Sequence, residues 1–226
     1  MNDALREQVD EIVRQFARRA DIETAPEWIL PPASCELLAE LGRILPPGSS
    51  AFEFGSGRST HVLRRAFRSV TSIEDSLDWL NATEKLADAV APRVDDKSEV
   101  VPLTTCWNRL RPIQSFDIEA RPDLLARLRA ARLVLVDSPP NPAKREHALS
   151  LALRYTPAHA LVVIDDLEVR ATARFTERLA RQNRQWLAFW RLGIDHQLGV
   201  FLKLQPAQKL RSVPSPREFV GTWLRA

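Results

Sequence analysis

Glycine, cysteine and long apolar runs are all scarce in this 226-residue chain, and each scarcity excludes a class of protein. The two cysteines, Cys35 and Cys106, match no metal or redox spacing, so neither a disulfide framework nor a zinc centre is expected and both thiols read as reduced and structural. No apolar stretch approaches the ~18 residues that a membrane-spanning helix needs. The N-terminal run MNDALREQVDEIVRQF carries charges throughout, where a secretory signal would carry a hydrophobic core. A soluble, cytoplasmic protein with no membrane partner is the expectation. Blocks of like charge are missing too. The 32 basic and 29 acidic residues are interleaved, and a net charge of +3 supplies no basic stripe of the kind that grips nucleic acid. What remains, 45% hydrophobic and 27% charged residues, is the composition of one well-buried domain.

Of the seven glycines, two share one short turn. The stretch AFEFGSGRSTHVLRRAFRSVTSIE, from Ala51 to Glu74, reads as a strand, a glycine turn at Gly55 and Gly57, a helix, and a second strand ending in an acid. Glycine is needed where the backbone takes a positive φ or where a ligand comes close to the main chain. Glu74 follows at about the 20-residue interval that separates such a loop from the carboxylate accepting both ribose hydroxyls of a nucleoside cofactor. Asp75 and Ser76 read as caps for the next helix. Glu53, inside the strand before the turn, is a candidate to touch the cofactor or its ordered water; its alternative is to pair with a neighbouring amide or an arginine.

The rest of the chain alternates regularly. Leu5, Val9, Ile12, Val13 and Phe16 recur at helical spacing, which predicts an amphipathic helix over residues 3–20 packed on the domain or on a second subunit. After the break TAPEWILPP, Ser34 is placed to cap a second helix running to about Ile44. Strands are predicted at 51–54, 70–74, 100–103, 133–137 and 161–165, with helices near 59–68, 76–90, 122–131, 142–154 and 168–183 between and after them. Such alternation gives a parallel sheet covered on both faces. Two further apolar runs, 186–192 and 198–204, flank a turn containing Gly193 and Asp195 and read as a hairpin, so at least one strand runs antiparallel. The expected architecture is therefore α/β, a Rossmann-like doubly wound sheet of seven strands, mostly parallel, with a C-terminal antiparallel hairpin and N-terminal helices. It divides into a helical extension at 1–47, the sheet domain at 48–204, and a tail at 205–226 with an apolar anchor at Phe219 and Trp223.

A turn of sequence EFGSGRST, a strand-end acid in VTSIEDS, and the runs LVLVDSPP and LVVIDD together resemble the class I methyltransferases that use S-adenosylmethionine. Within that superfamily the resemblance is strongest to bacterial small-molecule enzymes related to catechol O-methyltransferase, and it covers about residues 34–204. A dinucleotide-binding protein carries a third glycine three positions after the second, where this chain has Thr60. The resemblance implies that Gly55, Ser56 and Gly57 pass beneath the methionine part of the cofactor and that Glu74 holds its ribose. It also implies an adenine contact near Thr104 to Trp107, with Trp107 the candidate to stack, and Leu77 and Trp79 as similar cases.

Asp137, Asp165 and Asp166 stand at two strand ends on the same rim of a parallel sheet, which places them together beside the cofactor's sulfonium. In the metal-dependent catechol-type enzymes the corresponding positions hold metal-binding acids, so the resemblance implies a Mg2+ or Ca2+ site at these three residues. Their alternative is local: Asp137 opening the SPPNP turn and Asp166 capping the helix that follows. A cation there would acidify an acceptor hydroxyl. Without one a side chain must serve as base, and Lys144 and His147, just beyond the Asp137 turn, are the candidates. His61 and His196 have no sequence partner that singles them out. The implied reaction is methyl transfer to a hydroxyl of a small molecule, in a chain whose striped first helix suits a homodimer. Two other functions compete. A nucleic-acid base methyltransferase is suggested by DSPPN, but Ser138 interrupts the acid–proline pair and Asn141 stands where an aromatic would stack on a flipped base. A non-catalytic protein retaining the fold has no physical need to keep Gly55, Gly57, Glu74 and the acids together.

Overall fold

The computed structural model describes residues 2–17, 30–87, 89–108, 111–193 and 196–206. In chain order the elements are α1 (Asn2–Phe16), α2 (Pro32–Arg43), β1 (Ser50–Phe54), α3 (Arg58–Ala66), β2 (Ser69–Glu74), α4 (Leu77–Thr83), β3 (Lys97–Val100), β4 (Thr104–Asn108), β5 (Arg111–Ser115), α5 (Pro122–Ala130), β6 (Leu133–Val136), α6 (Pro142–Tyr155), β7 (Leu161–Ile164), α7 (Arg170–Gln182), β8 (Leu187–Leu192) and β9 (Leu198–Lys203).

Seven strands form one sheet in the order β3-β2-β1-β6-β7-β9-β8. β1, β2, β3, β6 and β7 pair in parallel, whereas β9 runs antiparallel to both β7 and β8. The runs LVLV of β6 and LVVI of β7 are buried throughout because helices cover both sides. Alternate residues go to opposite cores. Phe52, Phe54, Val134, Val136, Val162 and Ile164 face a layer containing α5, α6 and α7. Ala51, Leu133, Leu135, Leu161 and Val163 face α1, α2 and α3. Among the described residues no helix is long and apolar enough to cross a membrane.

The strand order reverses between β1 and β6, which opens a crevice beyond their carboxyl ends. Arg64, 1% exposed, helps to fix the β2 side of that crevice. Its guanidinium donates to both oxygens of Glu84 at 2.6 and 3.0 Å, to the Val90 carbonyl at 2.9 Å and to Ser98 Oγ at 2.9 Å, tying α3 to α4 and β3.

Several local expectations are corrected. The second helix starts at Pro32 behind Pro31, without a side-chain cap, and Ser34 lies buried inside it; a proline in the first turn sacrifices no hydrogen bond and already has helical φ. The third strand sits at 97–100, ahead of its apolar signal, because the polar run KSEV forms a half-exposed edge. A second, two-stranded sheet of β4 and β5 follows it, which no periodicity announced. α4 covers only the first part of the helix predicted over 76–90. The stripe of α1 is spent within the chain: Val9, Ile12, Val13 and Phe16 share a core with α2 and the sheet. Residues 18–20, Asp195 and the Phe219–Trp223 anchor lie outside the described residues.

Candidate functional site

The glycine turn joins β1 to α3 at the switch point. Gly55 has φ +100°, and a Cβ there would stand 2.8 Å from Ser138 Cβ, so glycine is required both by the backbone and by the neighbouring β6 turn. Gly57 has extended backbone, and an added Cβ would meet only Ser59 Oγ at 3.9 Å; space, not strain, marks that position. Its N–H donates to Thr60 Oγ1 at 3.0 Å, so the threonine standing where a dinucleotide fold has glycine caps α3 from within.

Glu74, 5% exposed, lies across the turn. Its carboxylate accepts from the N–H of Ser56 at 2.9 Å, Ser56 Oγ at 3.3 Å, and the N–H groups of Asp75 and Ser76 at 2.9 and 3.3 Å. Burial raises its pKa, with the Ser56 and Asp75 amides opposing. Ser76 does cap α4, accepting from Trp79 N at 3.2 Å, and the Trp79 indole donates to the Ser56 carbonyl at 2.5 Å. Leu77, one position beyond that cap, is 59% exposed. Trp107 is in β4, and its side chain lies outside the described residues. His61 is fully buried, donating from Nε2 to the Thr83 carbonyl at 2.8 Å while Nδ1 accepts from Val90 N at 3.0 Å.

Glu53 is reassigned. It is fully buried and accepts from the hydroxyls of Ser59, of Thr60 at 2.6 Å and of Ser72 at 2.9 Å, so it holds the start of α3 against β2 without reaching the crevice. Burial drives its pKa up to about 7, against the pull of those three hydroxyls. A folded-state pKa above the unfolded value means that stability is full at low pH and is lost as pH rises through it. Between pH 4.5 and about 7 the wild type is expected to lose up to ~3 kcal/mol from this group. Glu53→Gln is expected to remove that part of the slope, giving a more stable variant at pH 8 and a smaller difference at pH 4, read by urea unfolding at both values.

The acids after β6 and β7 do converge. Asp137 and Ser138 both donate their N–H to the Phe54 carbonyl, at 3.0 and 2.7 Å, which sets them against the glycine turn. Asp166 has φ +59° and so forms a left-handed corner, while Val169 is the N-cap of α7; the capping alternative for Asp166 does not hold. The rim contains two further residues that sequence reasoning passed over. Arg145, 2% exposed on α6, pairs with the Asp166 carboxylate and donates to the carbonyls of Asp137, Asp165 (3.3 Å) and Pro139 (3.3 Å), with Asp137 Oδ1 3.7 Å away. His196 Nε2 lies 2.7 Å from Asp165 Oδ1, and its Nδ1 lies 3.6 Å from Glu168. Burial pulls the His196 pKa down, but the Asp165 contact and the field of Glu168 and Asp166 prevail and lift it to about 9. Burial likewise opposes ionisation of Asp165, yet His196 and Arg145 hold its pKa low. Asp137 is pushed up, first by its dense surroundings and then by Asp165, although a third of its side chain still reaches solvent.

The two candidate bases fare differently from Arg145. At 3.6 residues per turn, His147 stands about 200° around α6 from Arg145. The charges that act on it are Glu119, Arg154 and Asp117, not the rim acids, and burial lowers its pKa. Lys144 is half-buried, and its main-chain carbonyl accepts from Ser115 Oγ at 3.3 Å. Helix phase, which spacing from the Asp137 turn does not reveal, selects Arg145 for the rim. A pocket of about 20 Å³, room for one water, joins His196 to Phe16 of α1, Ser34 and Leu37 of α2, and Leu198. A wider groove of about 610 Å³ between α2 and α3, lined by Cys35, Arg43, Arg58 and Arg65, includes neither Glu74 nor the rim acids.

No family model and no curated protein matches the chain. Solved structures share its fold. The O-methyltransferase TomG from Streptomyces achromogenes, involved in tomaymycin synthesis and solved with S-adenosylmethionine, is 19% identical over 88% of this chain and 89% of that one, with a TM-score of 0.56. An O-methyltransferase from Bacillus cereus, in complex with S-adenosylhomocysteine, is 15% identical over 89% and 91%, TM-score 0.53. An rRNA methylase from Streptococcus thermophilus is 14% identical over 76% and 95%, TM-score 0.54. At such identities the likeness establishes the fold alone, the Rossmann-like α/β fold that these structures share.

Proposed function

We propose that this chain transfers a methyl group from S-adenosylmethionine to a hydroxyl oxygen of a small molecule. The observation that carries the reading is the pairing, across the β1/β2 ends, of the Gly55–Ser56–Gly57 turn with the Glu74 carboxylate. Glu74 is the ribose acid, and its two longest contacts, from Ser56 Oγ and Ser76 N, are the ones that ribose hydroxyls would displace. Exposed Leu77 offers an apolar face to adenine, and the open space above Gly57 takes the methionine tail. The cofactor carries the hard chemistry. The acceptor oxygen attacks the methyl carbon, the carbon–sulfur bond breaks with its electron pair going to sulfur, and the hydroxyl proton must leave. Asp137, part-exposed beside the turn, is the carboxylate placed to take that proton when it is ionised. The protein's share is alignment in a sheltered crevice.

Fold likeness to O-methyltransferases and the interleaved surface charge support a small acceptor. A second reading, methylation of a nucleic-acid base, has the shared fold of the rRNA methylase in its favour and Asn141 in the place of an aromatic against it. Incubation with methyl-labelled cofactor and a panel of phenols, hydroxy acids and ribosomal RNA separates them. Label in an alkali-stable methyl ether of a small hydroxyl compound is the expected product; label in RNA alone would reverse the assignment.

A further inference from the structure

We infer that the Arg145 guanidinium stands permanently between the rim carboxylates, where the metal-dependent relatives of this fold would hold a divalent cation, so that this protein takes up no Mg2+ or Ca2+ there. The inference deepens the reading of the rim as the acceptor side of the site, and rests on that reading only for its catalytic meaning.

A divalent ion with oxygen ligands needs about six of them, converging at roughly 2.0–2.6 Å. The three acids do not offer that set. Asp166 is paired with Arg145 Nη1, and Asp137 Oδ1 lies 3.7 Å from Arg145 Nη2. Asp165 Oδ1 lies 2.7 Å from His196 Nε2, an ion-pair contact without hydrogen-bond alignment. The ligand-type atoms that do cluster within 4.8 Å are those of Asp165, Asp166 and His196, without Asp137. Arg145 is no surface side chain that swings aside: it is 2% exposed, and its fork also meets the carbonyls of Asp137, Pro139 and Asp165. An ion entering the rim would have to expel a buried cation and strand those three carbonyls, each a cost of its own. The planar five-donor guanidinium suits such a fixed role because it bridges two strand ends and α6 at once. Arg145 is thus a positioning residue that sets where Asp137 and Asp166 point.

Mn2+ titration followed by electron paramagnetic resonance, on the full-length protein without cofactor or acceptor, tests this independently of any methyl-transfer activity. Wild type is expected to leave the Mn2+ signal free at millimolar concentrations. Arg145→Ala, which uncovers the acids, is expected to bind one Mn2+ at least about ten-fold more tightly than wild type, and Arg145→Lys, which keeps a cation, to behave as wild type. Stoichiometric Mn2+ uptake by wild type that is lost in Asp166→Asn would overturn the inference, as would a folded Arg145→Ala that binds no ion. Should Arg145→Ala fail to fold, the wild-type and Asp166→Asn titrations still decide.

Discussion

Glu74→Ala is expected to weaken S-adenosylhomocysteine binding about 1000-fold while leaving the fold intact. Two ribose hydroxyls donating to one buried carboxylate make charge-assisted hydrogen bonds, each worth about 1.5–3 kcal/mol, and alanine removes both. Part of the loss is indirect. The same carboxylate fixes the Ser56 amide at 2.9 Å and the Asp75 amide at 2.9 Å, so the turn that receives the methionine tail loses its partner as well. Glu74→Gln separates the two contributions, since it keeps the size and an acceptor oxygen but drops the charge. It is expected to retain the turn and lose about 10- to 100-fold in affinity. Isothermal titration calorimetry on the three proteins gives the comparison, and equal affinities would show that Glu74 only braces the loop.

Gly55→Ala carries the second large effect, on stability and binding together. The residue would have to occupy φ +100° and place its Cβ 2.8 Å from Ser138 Cβ. Backbone strain contributes about 1–3 kcal/mol and overpacking a similar amount, for a total near 4 kcal/mol. Because the clash lies between the β1 turn and the β6 turn, relief comes only by widening the crevice at the switch point, and cofactor affinity is expected to fall along with the unfolding midpoint. Gly57→Ala is the internal control: with extended backbone and its nearest neighbour at 3.9 Å, it should fold normally and lose affinity only through contact with the ligand. A Gly55→Ala protein as stable as wild type would mean that the turn relaxes freely and that glycine there serves some other purpose.

The frame of the site was legible in the sequence because it depends on local signals that repeat. The apolar runs LVLV and LVVI marked β6 and β7, the glycine turn marked the β1 exit, and parallel topology then put Glu74, Asp137 and Asp165 on one rim. Side-chain partnership was not legible. Glu53 looked available until three hydroxyls from α3 and β2 closed over it. Between Arg145 and His147, a helix phase that spacing does not fix decides which one reaches the acids. His196 comes from the hairpin 31 positions after Asp165, and only the pairing of β7 with β9 brings it back. The β4–β5 pair escaped for a simpler reason: its residues TTCWN and RPIQS are mixed in polarity and carry no clean two-residue alternation.

These gaps share a pattern with chemical content. Buried charges require partners, so a rim with three carboxylates was bound to recruit cations from somewhere. The arginine on α6 and the histidine before β9 are those cations, and both were present in the sequence as ordinary surface residue types.

A crystal structure of the protein grown with S-adenosylhomocysteine tests the central claim most directly. Both ribose hydroxyls are expected within hydrogen-bond distance of the Glu74 carboxylate, and the homocysteine carboxylate or amine against the Gly55–Gly57 main chain. A crevice that stays empty at saturating ligand, or a nucleoside bound elsewhere, would contradict it.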